Sequence, residues 1–445
     1  MFSIVKRWLA PGSLVGRLMA GTFWSLASSV LNQGGSFASG LVAARLLGQE
    51  AFGQFSIVLS TLMSFSLLGQ TGLGYSATKF IAEYRSTDTA RVERILALGQ
   101  VLSPCTAIAF SVTLAAAAPW IAVSWLGSER LILPLALGSV FVFFTVVYSY
   151  QAGVLAGFER FRELVGPSAV AAGLAVGGVA SGAAVGGVGG AVAGLCVAGA
   201  ARWFLWRRAL LTEAETLGIR PATHDWKREL KLVYGFALPA TLAGYGMVSS
   251  SWYAQALLVR QPRGFTEMAD YSAAQSIRLM AMFIPQLVNV VGLSILNNVR
   301  RESTGKDYRS VRMMNIVVLT VAAATVALVL AFGSRLLLPL FGPDFAQADP
   351  RILWVLLAAA VAESVLIGLF QAVQVSGRMW LSLVAVSLPW QATFAACSTY
   401  LVPRLAALGL AVAYFSGVLV ALMATAILAM RIDHQPTGSS QYVHS

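Results

Sequence analysis

The stretch that decides the fold runs from Leu41 to Ser60 and reads LVAARLLGQEAFGQFSIVLS. An apolar segment ends at Arg45, a short turn follows at Gly48, and a second apolar segment begins at Ala51. Each flanking segment is close to the ~20 apolar residues that cross a bilayer. The pattern therefore predicts two transmembrane helices joined by a tight loop.

The whole chain has the composition of a membrane protein. Of its 445 residues, 57% are hydrophobic and 11% are charged, whereas soluble domains carry roughly 25% charged residues. We predict an all-α polytopic membrane protein with 12 transmembrane helices. The predicted spans are 18–44, 51–74, 97–125, 131–157, 164–186, 189–207, 232–259, 269–296, 313–340, 351–375, 380–402 and 405–430.

The basic residues predict the orientation of these spans. If both termini are cytoplasmic, 23 of the 31 Lys and Arg residues fall in cytoplasmic segments, seven at the outer side, and Arg278 alone within a span. This distribution follows the positive-inside rule. The net charge of +12 is therefore explained by topology, and we expect no nucleic-acid partner. The bilayer is the expected surroundings of the chain.

Two parts of the chain repeat each other. Tyr150-Gln151-Ala152 matches Phe370-Gln371-Ala372 at an offset of 220 residues, and Gly189 matches Gly409 at the same offset. Six spans per repeat place both halves the same way up, around a central cavity at their interface. The predicted organisation is an amphipathic cytoplasmic N-terminus (1–16), a six-helix bundle (17–210), a cytoplasmic linker (211–230), a second six-helix bundle (231–430) and a cytoplasmic tail (431–445).

The sequence shows little of what an enzyme or a metal site needs. Its three cysteines fall in apolar segments and its three histidines in a loop and the tail, so we expect no metal and no cofactor. Within the spans the acidic residues reduce to Glu363, and one carboxylate is not a glycosidase pair. Glu363 is instead a candidate proton or ion-coupling site, with a structural hydrogen bond as the alternative.

Polar stripes mark three of the spans. An arginine within a span costs at least ~2.5–3.5 kcal/mol, and Arg278 could bind a diphosphate bidentately; its alternative role is a structural pair with Glu363. Hydroxyl and amide groups suit sugar hydroxyls, and aromatic faces suit sugar rings. The candidates are Gln275, Arg278, Gln286 and Asn289 in span eight, Ser28 and Asn32 in span one, and Tyr245 and Trp252 in span seven.

The first hairpin also resembles a known family. Arg45, Leu47-Gly48 and Phe52-Gly53, together with Phe341-Gly342 in a later outer loop, are similar to motifs of Wzx-type polysaccharide flippases. These belong to the superfamily that holds MATE drug exporters and lipid II flippases. The resemblance adds Arg45 to the candidate substrate-binding residues.

What the resemblance implies is a transport function. Family members move an undecaprenyl-diphosphate-linked oligosaccharide from the cytoplasmic to the periplasmic leaflet of the bacterial inner membrane, by alternating access through a cationic cavity. They serve O-antigen, capsule or exopolysaccharide synthesis, so a polysaccharide polymerase and chain-length machinery are the implied partners. The alternatives are a MATE-like ion-coupled small-molecule exporter, which the absence of a membrane carboxylate in the first half disfavours, and a membrane glycan polymerase or ligase.

Overall fold

The computed structural model describes residues 14–219, 226–230, 238–302, 305–376 and 379–433. Within these ranges every regular element is a helix and there is no strand, which confirms the predicted all-α class. The chain divides into two compact units, Met1–Tyr245 and Gly246–Ser445. Each unit is described by itself below. Most of the predicted N-terminal segment, 1–16, and most of the predicted tail, 431–445, lie outside the described residues.

The first unit is built from six labelled helices, and the last of them is long enough for two spans. Between α5 and α6 lies a short 3-10 helix, Phe161–Leu164, and a further one follows the unit's last described helix at Trp226–Glu229. The labelled helices are α1 (Leu14–Leu47), α2 (Gln49–Gln70), α3 (Leu73–Tyr84), α4 (Thr89–Trp120, extended by a π-helical turn to Trp125), α5 (Ile132–Gly157) and α6 (Val165–Thr216).

The second unit contains five labelled helices. Its α7 begins before the unit boundary, at Leu238. Short helical turns at Ser334–Leu337, Leu338–Phe341 and Pro343–Gln347 connect α9 to α10, and a helical turn at Met379–Ser382 leads through a π-helical turn, Leu383–Ser387, into α11. The helices are α7 (Leu238–Val259), α8 (Gly264–Glu302), α9 (Gly305–Phe332), α10 (Pro350–Ser376) and α11 (Leu388–Asp433).

The helix lengths agree with a twelve-span chain. Among the described residues, seven helical segments are long and apolar enough to cross a membrane. Two of them, Arg162–Thr216 and Leu383–Arg431, have 55 and 49 residues, and at 1.5 Å per residue each exceeds twice the ~30 Å of a bilayer core. Each is interrupted once by non-helical backbone and therefore supplies two spans. The more polar helices α1, α7 and α8 complete the twelve.

The interruptions in the two long helices share one backbone conformation. Gly187 in α6 has φ 55° and ψ −137°, and Ala406 in α11 has φ 47° and ψ −125°. The two residues lie 219 positions apart, close to the repeat offset of 220 read from the sequence. Gly187 lies in the gap between the predicted spans 164–186 and 189–207, whereas Ala406 is the second residue of the predicted span 405–430, so the turn comes two residues after the predicted gap.

Span two differs from its prediction as one continuous helix over 51–74. Thr71 and Gly72 both adopt left-handed backbone angles, with φ of 45° and 67°, so α2 ends at Gln70 and α3 starts afresh at Leu73. The restarted helix then runs ten residues beyond the predicted end, to Tyr84. Glycine tolerates the left-handed region at no steric penalty, and the Thr-Gly pair is the local reason for the break.

Small residues bring the helices of the first unit into close contact. The backbones of Gly182 and Gly190 touch across the two arms of α6, and so do those of Gly178 and Gly194, as the spacing of four residues predicts. The hydroxyl of Thr78 in α3 donates to the Gly153 carbonyl of α5 over 2.9 Å. Glycine contacts and hydroxyl groups thus add to the hydrophobic core that joins the helices of the first unit.

Helix α10 is the central element of the second unit. It packs against α8, α9 and α11, and its residues Leu353, Leu356 and Ala360 are fully buried. Any polar side chain of α10 that points into this packing therefore meets three neighbouring helices. Two groups of polar side chains do so, and they form the site described next.

Candidate functional site

An ion pair joins α8 to α10 inside the second unit. The Arg278 Nη1 atom donates to Glu363 Oε2 over 2.5 Å, and Arg278 Nε donates to the side-chain oxygen of Gln275 over 2.9 Å. Arg278 is 5% exposed, and the Glu363 side chain is 16% exposed. Both charges of the pair are therefore held mostly away from water, and each is the other's counter-ion.

A tyrosine from α11 completes the arrangement. The Tyr414 hydroxyl donates a hydrogen bond to Glu363 Oε1, the carboxylate oxygen that Arg278 does not use. The Arg278 guanidinium carbon also lies 4.9 Å from the centroid of the Tyr414 ring, a distance at which a cation is attracted to an aromatic face. We call Arg278, Glu363 and Tyr414 the Arg–Glu–Tyr triad. It connects three helices of one unit.

Aromatic side chains enclose the tyrosine side of the triad. Trp390 and Phe394 of α11 pack edge-on against the Tyr414 ring, with centroid distances of 6.2 and 5.8 Å. Both residues are buried, as is Tyr271, which precedes Arg278 by two helical turns on α8. Apolar walls lower the local dielectric and strengthen the electrostatic interactions inside them.

A second polar group, made of amides, lies on the same helices. Gln371 of α10 is fully buried and donates to the Asn289 side-chain oxygen of α8 over 2.6 Å. Its own side-chain oxygen accepts from Asn315 of α9 over 2.6 Å. We call Asn289, Asn315 and Gln371 the amide cluster. Its members satisfy one another, so it joins three helices without an unpaired buried group.

The structure places the span-one candidates in a helix contact. The hydroxyls of Ser28 in α1 and Ser168 in α6 lie 2.9 Å apart, and both residues are buried. The Asn32 amide donates to the Ser28 carbonyl over 2.9 Å and approaches the Ser168 hydroxyl at 3.4 Å. These groups satisfy each other between α1 and α6. A contact between helices is what the structure shows for Ser28 and Asn32, and their predicted role in substrate binding stays a prediction.

The remaining candidates do not gather around the triad through any contact that the structure gives. Gln286 is exposed, and Tyr245 and Trp252 are half-buried in α7 with interactions of their own. Arg45 is exposed in the last turn of α1 and also has a partner. Of the predicted set, the structure brings together Gln275, Arg278 and Glu363. A cavity shared by the two halves stays a prediction.

Three residues in these contacts were not predicted as site residues: one belongs to the triad, one to the amide cluster, and the third, Ser168, to the contact between α1 and α6. Tyr414, Asn315 and Ser168 lie in apolar helices, where a lone hydroxyl or amide is usual and carries no periodic signal. Gln371 was noticed only as part of the repeat motif. One sequence signal was available for Tyr414. The repeat offset of 220 aligns it with Gly194, so this position has an aromatic side chain in the second half and no side chain in the first.

The chemistry open to the triad is ionic. Among the described residues, no group of three or more His, Cys, Asp or Glu side chains is placed to hold a metal ion. A guanidinium can bind a carboxylate or a phosphate in the same two-pronged manner. A carboxylate that accepts from two donors can lose one of them or take up a proton. The triad can therefore exchange an anion or a proton.

Comparisons with known proteins place this geometry in context. A family model described as polysaccharide biosynthesis protein matches residues 18–296, more than half of the chain. The comparison with curated proteins returns no match.

The solved structures that are similar to the chain are transporters. An inward-facing multidrug resistance MATE family transporter of the MOP superfamily is 16% identical and aligns with a TM-score of 0.73 over 91% of this chain and 94% of its own. A MOP superfamily transporter from Pyrococcus furiosus, described as having a binding pocket of reverse polarity, is 15% identical with a TM-score of 0.68 over 94% and 95%. The eukaryotic MATE transporter AtDTX14 is 13% identical with a TM-score of 0.64 over 92% and 96%. At these identities the likeness establishes the fold.

Proposed function

The chain belongs to the polysaccharide biosynthesis protein family, and from that premise we propose that it is a flippase for a lipid-linked oligosaccharide. The substrate is an undecaprenyl-diphosphate-linked glycan, moved from the cytoplasmic to the periplasmic leaflet of the bacterial inner membrane. Both termini lie in the cytoplasm. The two halves, 17–210 and 231–430, open alternately toward each side of the membrane.

The observation that carries this proposal is the guanidinium of Arg278. It lies in a membrane-spanning helix, where a cation is expensive and helix packing does not require one. Two of its nitrogens, Nε and Nη1, donate to Gln275 and Glu363. A diphosphate is the part of the proposed substrate that matches this group in charge and geometry.

The MATE-type fold supports transport and also raises the alternative of a small-molecule exporter. The buried Glu363 favours that alternative, since a membrane carboxylate could bind a cationic drug. Against it stands the arginine that already neutralises Glu363. A binding pocket of reverse polarity is described for the Pyrococcus furiosus protein and belongs to that protein. It is a precedent for a protein of this fold whose pocket carries a different charge. We favour the anionic substrate.

The experiment that tests the proposal is gene deletion with chemical analysis of the lipids. Without the protein, a lipid-linked oligosaccharide should accumulate in the cytoplasmic leaflet, and its polymer should be absent from the cell surface. Mass spectrometry identifies the lipid, and its protection from an enzyme added outside identifies the leaflet. Wild-type protein should restore the polymer and Arg278→Gln should not.

A matched arginine serves as the control. Arg351 is exposed and bonded to its neighbour Asp349 over 2.8 Å, so Arg351→Gln should restore the polymer fully. Accumulation of single units in the outer leaflet would indicate a polymerase or ligase instead. Unchanged polymer with increased drug susceptibility would indicate an exporter. Either result contradicts the flippase.

A further inference from the structure

We propose that Glu363 competes with the substrate's anionic group for Arg278, and that the anion displaces Glu363 from Arg278 when Glu363 takes up a proton. This inference rests on the proposed function and adds a regulatory residue to it. Glu363 acts on the substrate only through Arg278, so it is a positioning residue. The linked proton makes anion binding dependent on pH.

The competition follows from how the guanidinium is used. In the structure Arg278 Nη1 donates to Glu363 and Nε donates to Gln275, so each of the two edges that could bind a phosphate through two nitrogens, Nε with Nη2 and Nη1 with Nη2, already has one nitrogen bonded to a protein acceptor. A diphosphate can accept two hydrogen bonds from one edge of the guanidinium only if it displaces Glu363 or Gln275. Glu363 is the acceptor that carries charge, and so it is the one that an anion must replace as counter-ion.

If the diphosphate displaced Glu363 without proton uptake, the negative charges of the diphosphate and of Glu363, three in all, would surround the single positive charge of Arg278. The Glu363 side chain is 16% exposed, and like charges in such surroundings repel strongly. The arrangement is relieved if Glu363 takes a proton from water and becomes a neutral carboxylic acid. Arg278 keeps its charge throughout, because a guanidinium is not deprotonated in proteins. Binding of one anion is then coupled to uptake of one proton, and release reverses both.

Few other charges act on Glu363. From α8 it faces Arg278 and, close by, Tyr271; from α11 it faces Tyr414. Glu267 and Asp270 lie two to three turns from Arg278 toward the start of α8. Helix α9, the third neighbour of α10, carries no charged residue between Asn315 and Phe332. The proton linkage is therefore set by the triad itself.

Tyr414 stabilises the charged form of Glu363. Its hydroxyl donates to Oε1, and a hydrogen bond donated to a carboxylate favours the ionised state. Its ring also faces the guanidinium. When Glu363 is protonated, the phenol oxygen can accept the new proton in a hydrogen bond. Removing the hydroxyl takes one donor away from the carboxylate, so an anion should displace Glu363 from Arg278 more easily and bind more tightly.

The test measures protons taken up on binding of a defined probe. Farnesyl diphosphate, a short polyprenyl diphosphate, is titrated into the purified full-length protein in detergent between pH 5 and 9. Calorimetry in buffers of different ionisation enthalpy gives the proton number, and farnesol is the uncharged control ligand. Wild type should take up close to one more proton than Glu363→Gln, because the ligand's own titration is the same in both and cancels in the difference.

The affinities should follow the same linkage. Wild-type binding should tighten by up to about tenfold for each unit that the pH falls, since one linked proton corresponds to a factor of ten per unit. Glu363→Gln should bind farnesyl diphosphate at least tenfold more tightly than wild type at the alkaline end of the pH range. Its affinity should depend on pH only through the titration of the ligand itself. Asp344→Asn, which removes a carboxylate from the loop before α10, should behave as wild type.

Two further variants keep the test decisive if Glu363→Gln does not fold. Tyr414→Phe retains the ion pair and should bind the diphosphate more tightly than wild type, because Glu363 loses its second donor. Arg278→Gln should abolish binding of the diphosphate. Equal proton numbers in wild type and Glu363→Gln, or an unchanged affinity in Tyr414→Phe, would overturn the exchange while leaving diphosphate binding intact. Failure of every protein, wild type included, to bind the probe would overturn the proposed function together with it.

Discussion

The two units keep their charges in different places. In the first unit the ion pairs join the helix ends and connecting segments: Arg85 pairs with Glu159 over 2.5 Å, and Arg160 pairs with Glu213 over 2.8 Å. Glu229, in the segment that follows α6, accepts from Arg94 over 3.2 Å. In the second unit an ion pair lies in the middle of the helix packing. Charge is peripheral in one unit and central in the other.

The repeat offsets make this difference position-specific. Phe55-Ser56 and Tyr271-Ser272 lie near the starts of predicted spans two and eight, 216 residues apart, and at this offset Leu62 stands in the place of Arg278. At the offset of 220, Phe143 stands in the place of Glu363 and Gly194 in that of Tyr414. Leu62 is fully buried and would meet any side chain placed at Gly138. The first unit therefore fills with apolar and small residues the positions where the second unit holds its triad.

The comparison teaches that the triad is not needed for the architecture. Among its described residues, the first unit packs its helices with ion pairs between helix ends and connecting segments and none like the triad, and replacing buried pairs by apolar residues is often neutral or stabilising. The proposed function gives the arginine and carboxylate of the second unit a role in ligand binding. The predictions below test this asymmetry, beginning with the largest expected effect.

Breaking the ion pair from one side should have the largest effect. Arg278→Gln leaves Glu363 buried without a counter-ion and should lower the free energy of unfolding by about 3–5 kcal/mol, with transport lost. The double variant Arg278→Gln with Glu363→Gln leaves no unpaired charge and should recover most of that stability. Thermal unfolding in detergent and transport of the lipid-linked substrate are the two measurements.

The transport of the double variant decides between the two roles of Arg278. If the arginine serves to bind the substrate's anion, the double variant folds and remains inactive. Recovery of transport in the double variant would mean that Arg278 only neutralises Glu363. The second unit would then differ from the first in its packing chemistry alone.

Much of the fold was open to sequence reasoning because it depends on composition and length. Apolar segments of ~20 residues and the distribution of arginines do not require knowledge of tertiary contacts. The break at Thr71-Gly72 was missed because the sequence is apolar on both sides of it. Hydropathy therefore gives no sign that the helix is interrupted there. The same holds for α9, predicted to 340 but ending at Phe332 before a series of short apolar turns.

The site was predictable only in part. Helical periodicity placed Gln275 and Arg278 on one face, and the cost of charge in a membrane singled out Arg278 and Glu363. Periodicity says which residues share a helix face but not which helix that face meets. The partners across helices, Tyr414 and Asn315, depend on how α9, α10 and α11 pack, and no local pattern encodes that.

The glycine contacts of the first unit give the next largest expected effect. A Cβ at Gly182 would meet the carbonyl oxygen of Gly190, which is backbone and cannot move aside. Gly182→Ala should therefore separate the two arms of α6 and destabilise the protein by about 1–3 kcal/mol. Unfolding of the purified protein measures the change.

A neighbouring glycine supplies the matched control. Nothing lies within 4 Å of a Cβ at Gly177, so Gly177→Ala should be stabilising by roughly 0.5–1 kcal/mol through helix propensity alone. In the second unit the repeat offset of 220 puts Val402 and Leu410 at the positions of Gly182 and Gly190, and both are fully buried. Equal effects of the two alanine substitutions would show that close backbone contact does not hold the first unit together.

The smallest effect concerns the turn that both units share. Gly187 and Ala406 have nearly the same backbone angles, in a region that glycine adopts freely and alanine adopts only under strain. At Ala406 the strain is held in place by the next residue, whose backbone N–H donates to the Glu267 carboxylate over 3.1 Å. Ala406→Gly should raise the free energy of unfolding by about 1 kcal/mol, and Gly187→Ala should lower it by about as much. No atom lies within 4 Å of a Cβ at Gly187, so the second change reports backbone strain without a steric clash. Opposite signs in the two unfolding measurements would establish that the units share the turn itself, whereas a neutral Gly187→Ala would mean that only the second unit stores strain there, through its bond to Glu267.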